Sequence, residues 1–243
     1  MAKYGLIGKN ISYSFSKGFF THKFETEKIK DTYENFDIDC IEDFPKVIQN
    51  TQGLKGLNVT IPYKESIIPF LDNLDNEAEK IGAVNTIKFK KNGQMVGYNT
   101  DHFGFAKSLE AFFPFHEKTA LVLGTGGASK AVKYVLEALN FEYLVVSRSQ
   151  NPGTITYEDI NQNNINKYFL IINCTPVGTF PNFNEYPQIP YHLLTKNHVI
   201  YDLIYNPAQT EFIKRGFAAG ARVTNGLSML EYQANKSWSI WKS

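Results

Sequence analysis

Thr119-Ala120-Leu121-Val122-Leu123-Gly124-Thr125-Gly126-Gly127-Ala128-Ser129 is the stretch on which the fold turns. An apolar run of the buried-strand type closes on a Gly-rich turn. A strongly amphipathic helix follows, with Ala128, Ala131, Val132, Val135, Leu136 and Leu139 at helical spacing. Strand, Gly-rich turn and helix in that order form the context of a dinucleotide fingerprint. Gly124 serves the tight turn, Gly126 lets a pyrophosphate come close, and the helix N-terminus at Gly127 and Ala128 receives it. Ser129 stands where the third Gly of that pattern usually falls.

Toward the C-terminus, the strand Tyr143 to Val146 ends in Ser147-Arg148-Ser149. An NAD site usually places Asp or Glu there for the ribose diol, whereas Arg can receive a 2′-phosphate, so Arg148 argues for NADP over NAD. The plain alternative is an exposed Arg at a strand end. Two further strands, Tyr168 to Asn173 and His198 to Ile204, complete a Rossmann-type sheet. Thr175-Pro176-Val177-Gly178 and Tyr205-Asn206-Pro207 sit at their ends, where open α/β sheets bind ligands. A last helix from about Leu227 carries Leu230, Ala234, Trp238 and Trp241 as a core-facing stripe, bordered by Gln233.

Toward the N-terminus, Tyr4 to Gly8 reads as a first strand. The loop after it sets hydroxyls at Ser12, Ser14 and Ser16 before a helix with Phe20, Phe24 and Ile29. Ser16 is the expected N-cap, which accounts for one serine and not for the pair Ser14 and Ser16. Clustered hydroxyls and free N–H groups at a helix start suit a carboxylate or phosphate. Strand and helix signals then alternate through Thr32 to Ile38, Ile41 to Gln49, Asn58 to Thr60 and a helix beginning near Lys64, which implies parallel strands with crossover helices. Gly56-Leu57-Asn58-Val59-Thr60-Ile61-Pro62-Tyr63-Lys64-Glu65 delivers a cation at a strand end; the alternative is an edge strand followed by a surface lysine. Asn92-Gly93 marks a hairpin, and it leaves Asn85 and Asp101 beside strand ends. Asp101 can also be read as the cap of a helix from His102.

The 243 residues can bury a real core, in one large or two small domains, and a net charge of +1 gives no electrostatic reason to expect nucleic acid or an anionic membrane as partner. Two distant cysteines, Cys40 and Cys174, suggest neither a disulfide framework nor a metal site. No apolar run approaches the roughly 18 residues of a membrane span, and no basic leader opens the sequence. The expected setting is the cytoplasm and the expected partner a small molecule.

Taken together, these motifs resemble the shikimate dehydrogenase family along nearly the whole chain. The matching residues are Ser14-Phe15-Ser16, Asn58 to Lys64, Gly82-Ala83-Val84-Asn85-Thr86, Asn99-Thr100-Asp101, Gly124 to Ala128, Asn173 to Gly178, and Asn225 to Leu230 with Gln233. The resemblance implies two α/β domains: a mostly parallel substrate domain over 1–101, completed by the helix at 225–243, and a Rossmann NADP-binding domain over 102–224. The active site is expected in the cleft between them, in a monomer or homodimer. It implies that Ser14, Ser16 and Tyr205 hold a substrate carboxylate, and that Thr60, Asn85 and Gln233 hold ring hydroxyls. Lys64 and Asp101 match the catalytic pair. Ser147, Arg148, Ser149 and Thr175 belong with the cofactor, and Leu203 and Gly226 with its nicotinamide.

The implied activity is reversible, NADPH-dependent reduction of 3-dehydroshikimate to shikimate, with no metal. Tyr13 stands where the family often has His, Lys17 where it often has Pro, and Gln150-Asn151-Pro152 where a second basic residue is common. The sequence ends just past Trp241 without the further helices some members carry, a difference expected to bear on packing and not on chemistry. Rival readings are a quinate/shikimate dehydrogenase of broader specificity and a non-catalytic metabolite-binding module, which would not need both Lys64 and Asp101. A methylenetetrahydrofolate dehydrogenase-like plan leaves the paired serines and Gln233 without purpose.

Overall fold

Residues 1–12, 14–112 and 114–243 are described in a computed structural model, which divides into Met1–Phe103 with Gln233–Ser243 as one unit and Gly104–Tyr232 as the other. The first unit carries β1 (Lys3–Gly8), α1 (Phe15–Thr26), β2 (Thr32–Asp37), α2 (Phe44–Asn50), β3 (Leu54–Val59), β4 (Asn73–Leu74), α3 (Asn76–Ile81), β5 (Thr86–Phe89) and β6 (Met95–Tyr98). Its strands lie in the order β2-β1-β3-β5-β6-β4. All pair in parallel except β5, which runs against both β3 and β6. That reversal follows from the hairpin at Asn92-Gly93. Gly93 takes φ 87° and its N–H bonds the Lys90 carbonyl at 3.0 Å, a left-handed turn that returns the chain directly.

β3 lies between β1 and β5 with every residue but Lys55 buried, so it is a central strand and not an edge. Pro62, which has no N–H to give a ladder, falls beyond its end. No α-helix starts at Lys64, contrary to the sequence pattern. Residues 61–67 form successive turns that close in a 3-10 turn at Ile68–Phe70. Pro69 cannot donate to a helical ladder, and the Lys64 carbonyl is taken by the Val84 N–H at 2.7 Å. Helix propensity therefore yields to a tertiary hydrogen bond.

Alternation along β1 sends Tyr4 and Leu6 to one face of the sheet and Ile7 to the other. On the first face they meet Phe20, Phe24, Tyr33, Ala234 and Trp241; on the second, Phe44, Leu57, Val59, Ile67 and Ile87. Trp241 stacks on Tyr4 at 4.9 Å and its Nε1 donates to the Ile87 carbonyl at 2.9 Å. The indole lies directly over Gly56.

The chain continues through α4 (Asp101–Leu109), β7 (Thr119–Leu123), α5 (Gly127–Ala138), β8 (Glu142–Ser147), β9 (Thr154–Thr156), α6 (Gln162–Lys167), β10 (Leu170–Asn173), β11 (Val199–Asp202), α7 (Glu211–Ala218), β12 (Arg222–Thr224) and α8 (Leu227–Lys242). The six strands of the second unit are all parallel, in the order β12-β11-β10-β7-β8-β9. This is the Rossmann arrangement, with the strand order reversing between β7 and β10. β7 is buried on both faces, Ala120 and Val122 toward one core and Leu121 and Leu123 toward the other, which is why it reads as an unbroken apolar run. Val132, Val135 and Leu136 of α5 pack on the first of these cores.

A Cβ at Gly56 would overlap the Trp241 indole, so the two residues fit only with hydrogen at position 56. Gly56→Ala is expected to lower unfolding free energy by about 1–3 kcal/mol through overpacking, read from urea unfolding followed by tryptophan fluorescence.

Candidate active site

In the first unit the Lys64 ammonium bonds Asp101 Oδ2 at 2.6 Å, with side-chain exposures of 15% and 8%. Lys64 is therefore not a solvated surface lysine. Asp101 does not cap α4: the Asn99 side chain accepts the His102 N–H at 3.2 Å, and its own amide is held by the Ala83 carbonyl at 2.9 Å. That leaves both carboxylate oxygens of Asp101 for the site, and Oδ1 accepts from Asn85 Nδ2 at 2.8 Å.

The Asn85 amide has a determined orientation. Its oxygen receives the Thr100 backbone N–H at 2.6 Å, so its nitrogen faces Asp101, the Thr100 hydroxyl at 3.0 Å and, at 3.3 Å, the Gln233 side-chain oxygen. Behind Asn85 lies a buried set of polar groups to which the sequence assigned no role: Tyr33, Thr86, Thr100 and Ser237, together with the side chain of Asn58. Tyr33 donates to Asn58 Oδ1 at 2.8 Å, and Asn58 Nδ2 reaches the Asn85 carbonyl, Thr86 Oγ1 and Ser237 Oγ between 3.0 and 3.2 Å. The one legible sign was position: Ser237 follows Gln233 by four residues on the inward stripe of α8.

Ser14, not Ser16, caps α1, accepting the Lys17 N–H at 3.3 Å. A proline at position 17 would have no such hydrogen. Ser16 is instead buried within the helix, beside Tyr33, whose phenol burial holds well above its ordinary range. Tyr13 lies outside the described residues. The Ser14 loop is gripped from β2, since Asp37 accepts the N–H groups of Asn10 and Ile11 and Asn35 donates to the Ile11 carbonyl. Thr60 stands at the end of β3 with its methyl against Gly8. Ser14, Ser16, Thr60, Lys64, Asn85, Asp101 and Gln233 thus all fall in one unit.

In the second unit the turn glycines differ in kind. Gly124 takes φ 105°, and a Cβ there would meet Thr175 Cγ2 at 2.8 Å, so the fold itself demands glycine. Gly126 is the N-cap of α5 with ordinary φ −73°, and a Cβ there would meet nothing within 4 Å. Neither strain nor packing requires glycine at 126. Ser129 is fully buried and donates to the Gly126 carbonyl at 2.7 Å, which replaces the close helix packing of a third glycine with a hydrogen bond.

Gly127 and Ala128 open α5. Ser147 is buried at the end of β8, Arg148 and Ser149 are exposed, and Asn151 ties the loop by donating to Ser147 Oγ and the Ser149 carbonyl. Thr175 Oγ1 donates to Asn173 Oδ1 at 2.6 Å; Asn173 Nδ2 in turn donates to Asp202 Oδ1 at 3.0 Å. Leu203 and Gly226 touch so closely that any Cβ at 226 would strike the Leu203 carbonyl. Tyr205 follows, half-buried.

Three comparisons bear on this arrangement. The family model described as "Shikimate dehydrogenase substrate binding domain" matches residues 6–87. A Clostridium botulinum protein named shikimate dehydrogenase (NADP(+)) is 38% identical, over 98% of this chain and 95% of its own. The chain belongs to the shikimate dehydrogenase family. Among solved structures, shikimate dehydrogenase 1 from Peptoclostridium difficile is 39% identical with a TM-score of 0.86, over 100% of this chain and 92% of that one. Shikimate 5-dehydrogenase from Thermus thermophilus, solved in complex with NADP(H) and shikimate, is 28% identical with a TM-score of 0.86, over 99% and 93%. Among the described residues no helix is long and apolar enough to cross a membrane, and no three ligating side chains gather into a metal site.

For this family the turn after β7 fits a dinucleotide. A position that needs no glycine for its own fold, at a helix start with no side-chain cap, suits a group that approaches the backbone from outside the chain. The support beneath the Thr175 loop is Asp202, which accepts from Asn173, from the Ile204 N–H at 3.1 Å and from Thr210 Oγ1 at 2.6 Å. Burial pushes its carboxyl up to about 6, against the partial relief of those three donors.

Since the folded-state value lies above the ordinary 3.8, the folded protein holds the extra proton between those values, and this stabilisation is lost as pH rises through about 6. Asp75 shifts the same way, so comparison with a variant isolates Asp202. The stability of the parent relative to Asp202→Asn is expected to fall from pH 4 to pH 7, by up to about 3 kcal/mol. Urea unfolding of both proteins at pH 4, 5.5 and 7 measures it, and a difference flat with pH would refute the shift.

Proposed function

We propose that this chain catalyses the reversible reduction of 3-dehydroshikimate to shikimate with NADPH, and that Lys64 and Asp101 are its catalytic pair. The observation that supports this most is the 2.6 Å Lys64–Asp101 contact with Asn85 and Gln233 beside it, a cation, a carboxylate and two amides within one buried network. A binding module has no need of a cation held in this way.

When bound, NADPH supplies a hydride to the carbonyl carbon. Negative charge then builds on the carbonyl oxygen, where the Lys64 ammonium stabilises it and delivers the proton that makes the new hydroxyl. Asp101 holds the ammonium in place and accepts a bond from the neighbouring hydroxyl. Asn85, Gln233 and Thr60 take ring hydroxyls; Asn85 is held by Thr100 so that its amide hydrogens face the site. Ser14, Ser16 and Tyr205 receive the carboxylate.

On the cofactor side, Gly124, Gly126, Gly127 and Ala128 receive the pyrophosphate, Ser147, Arg148 and Ser149 the adenosine end, and Thr175, Leu203 and Gly226 the nicotinamide end. Arg148 is exposed at the end of β8, so its guanidinium is available to a 2′-phosphate. We place this enzyme in the cytoplasm, as a monomer or homodimer acting on a small-molecule substrate, with NADP preferred over NAD.

The decisive assay follows absorbance at 340 nm with shikimate or quinate against NADP or NAD. Turnover is expected with shikimate and NADP, and turnover on quinate with NAD would replace this reading with the broader enzyme. Lys64→Met is expected to lose about 2–4 orders of magnitude in kcat with little change in shikimate affinity; near-native turnover would remove Lys64 from the mechanism. Arg148→Ala should raise the KM for NADP about tenfold or more and leave that for NAD nearly unchanged, as loss of a charged hydrogen bond to phosphate requires.

A further inference from the structure

We propose that Ser237, one turn beyond Gln233 on α8, is a positioning residue that sets the Asn85 amide and so tunes substrate affinity; this rests on the reading of Asn85 as a substrate contact. Ser237 is fully buried on a face otherwise given to Ala234 and Trp241, and packing alone does not call for a hydroxyl there. Its hydrogen goes to the Gln233 carbonyl at 3.0 Å, the back-bond to the preceding turn. Its oxygen is then an acceptor, for Asn58 Nδ2 at 3.0 Å and for a hydroxyl. Thr86 Oγ1 lies 2.7 Å away, which requires a proton between the two oxygens. With the Ser237 hydrogen committed to Gln233, Thr86 must supply it.

The consequence falls on Asn85. Two other acceptors lie within reach of the Thr86 hydroxyl, Asn85 Oδ1 at 3.2 Å and Thr100 Oγ1 at 3.3 Å. The Asn85 oxygen already takes the Thr100 N–H at 2.6 Å and lies 3.1 Å from the Thr100 hydroxyl. Ser237 draws the Thr86 hydrogen away and leaves the Asn85 amide aligned on Thr100, with its nitrogen aimed at Asp101 Oδ1 and Gln233 Oε1. Without the Ser237 oxygen, Thr86, which is wholly buried, turns its hydrogen to Asn85 Oδ1 or to Thr100 Oγ1. The Thr100 hydroxyl also loses Ser237 Oγ, 3.1 Å away, and its nearest remaining acceptor is Asn85 Oδ1, so either route presses a further hydrogen on that oxygen. The amide then rotates to serve the added donor, and its nitrogen leaves the direction in which a substrate hydroxyl is met.

The test uses the full chain, with steady-state kinetics on shikimate and NADP beside thermal unfolding. Ser237→Ala is expected to raise the KM for shikimate about tenfold, with kcat within about threefold and the KM for NADP unchanged, the pattern of lost uniform binding. Phe44→Leu, a core change on the opposite face of the sheet, is the control: a lower Tm with an unchanged KM. Adding Thr86→Val removes the stranded donor, so the double variant should return the shikimate KM to within about threefold of the parent, a coupling that independent sites do not show.

A Ser237→Ala protein with lowered Tm and parental KM, or a double variant with no recovery, would overturn the assignment. Should Ser237→Ala fail to fold, Ser237→Cys, which keeps a side chain there but offers only a weak acceptor, carries the same comparison. A parent that neither turns over nor binds shikimate sinks the proposed function and this inference together. A working parent with an indifferent Ser237 variant sinks only the inference.

Discussion

The first unit is built around the need to keep a lysine and an aspartate out of water. Moving two charges into a low-dielectric interior carries a desolvation cost that their attraction offsets only when the remaining hydrogen-bonding capacity is filled. Here it is filled in sequence. Asn85 takes the second oxygen of Asp101, the Thr100 N–H takes the oxygen of Asn85, and Asn58, Thr86 and Ser237 close the group behind. A half-satisfied version would be worse than an apolar core. The fold elements nearby answer to this demand: Asn99 relieves Asp101 of capping α4, and the Val84 N–H takes the Lys64 carbonyl and so keeps Lys64 in a turn.

The second unit shows the same residue type in the opposite circumstance. Asp202 is as deeply buried as Asp101, yet it is met by three hydrogen-bond donors, and no cation is among the groups acting on it. Burial therefore governs, and its carboxyl rises to about 6. A charge partner suits a group that must meet a reacting centre; donors alone suit one that must brace loops. Asp202 braces two at once, the turn after β10 through Asn173 and the start of α7 through Thr210, which caps that helix.

Much of this was legible where local chemistry leaves few options. The apolar run and glycines of Thr119 to Ser129 specify a buried parallel strand and a phosphate-type turn, and Asn92-Gly93 specifies the one antiparallel return in the first sheet. Legibility failed where two residues could do one local job. Ser14 and Ser16 are both competent caps, as are Asn99 and Asp101, and the choice is made by tertiary structure: Ser16 is buried within the helix, and Lys64 with Asn85 claims Asp101. The helix expected at Lys64 failed for a related reason, since no periodicity records that Val84 will compete for a carbonyl. Ser237 was invisible, and Thr86 and Thr100, though within matching motifs, carried no role, because each is unremarkable alone; only the folded chain brings the Ser237 hydroxyl to two others more than a hundred residues away.

The end of α8 binds these levels together. Gln233, Ser237 and Trp241 are four residues apart and so lie along one row of the helix. Gln233 meets the side chain of Asn85, Ser237 that of Thr86, and Trp241 the carbonyl of Ile87. Three consecutive positions, Asn85 just before β5 and the first two residues of that strand, are thus read by three successive turns of one helix, the first two through site chemistry and the third through packing over Gly56. A shift of the helix by one residue would carry all three side chains off the row. The indole seated over Gly56 fixes the helix against the sheet, and that same seat delivers the Gln233 amide and the Ser237 hydroxyl to the buried network. Core packing and site geometry in this unit are therefore one constraint: a change at Trp241 acts on the Asn85 amide through the helix that carries both Ser237 and Gln233.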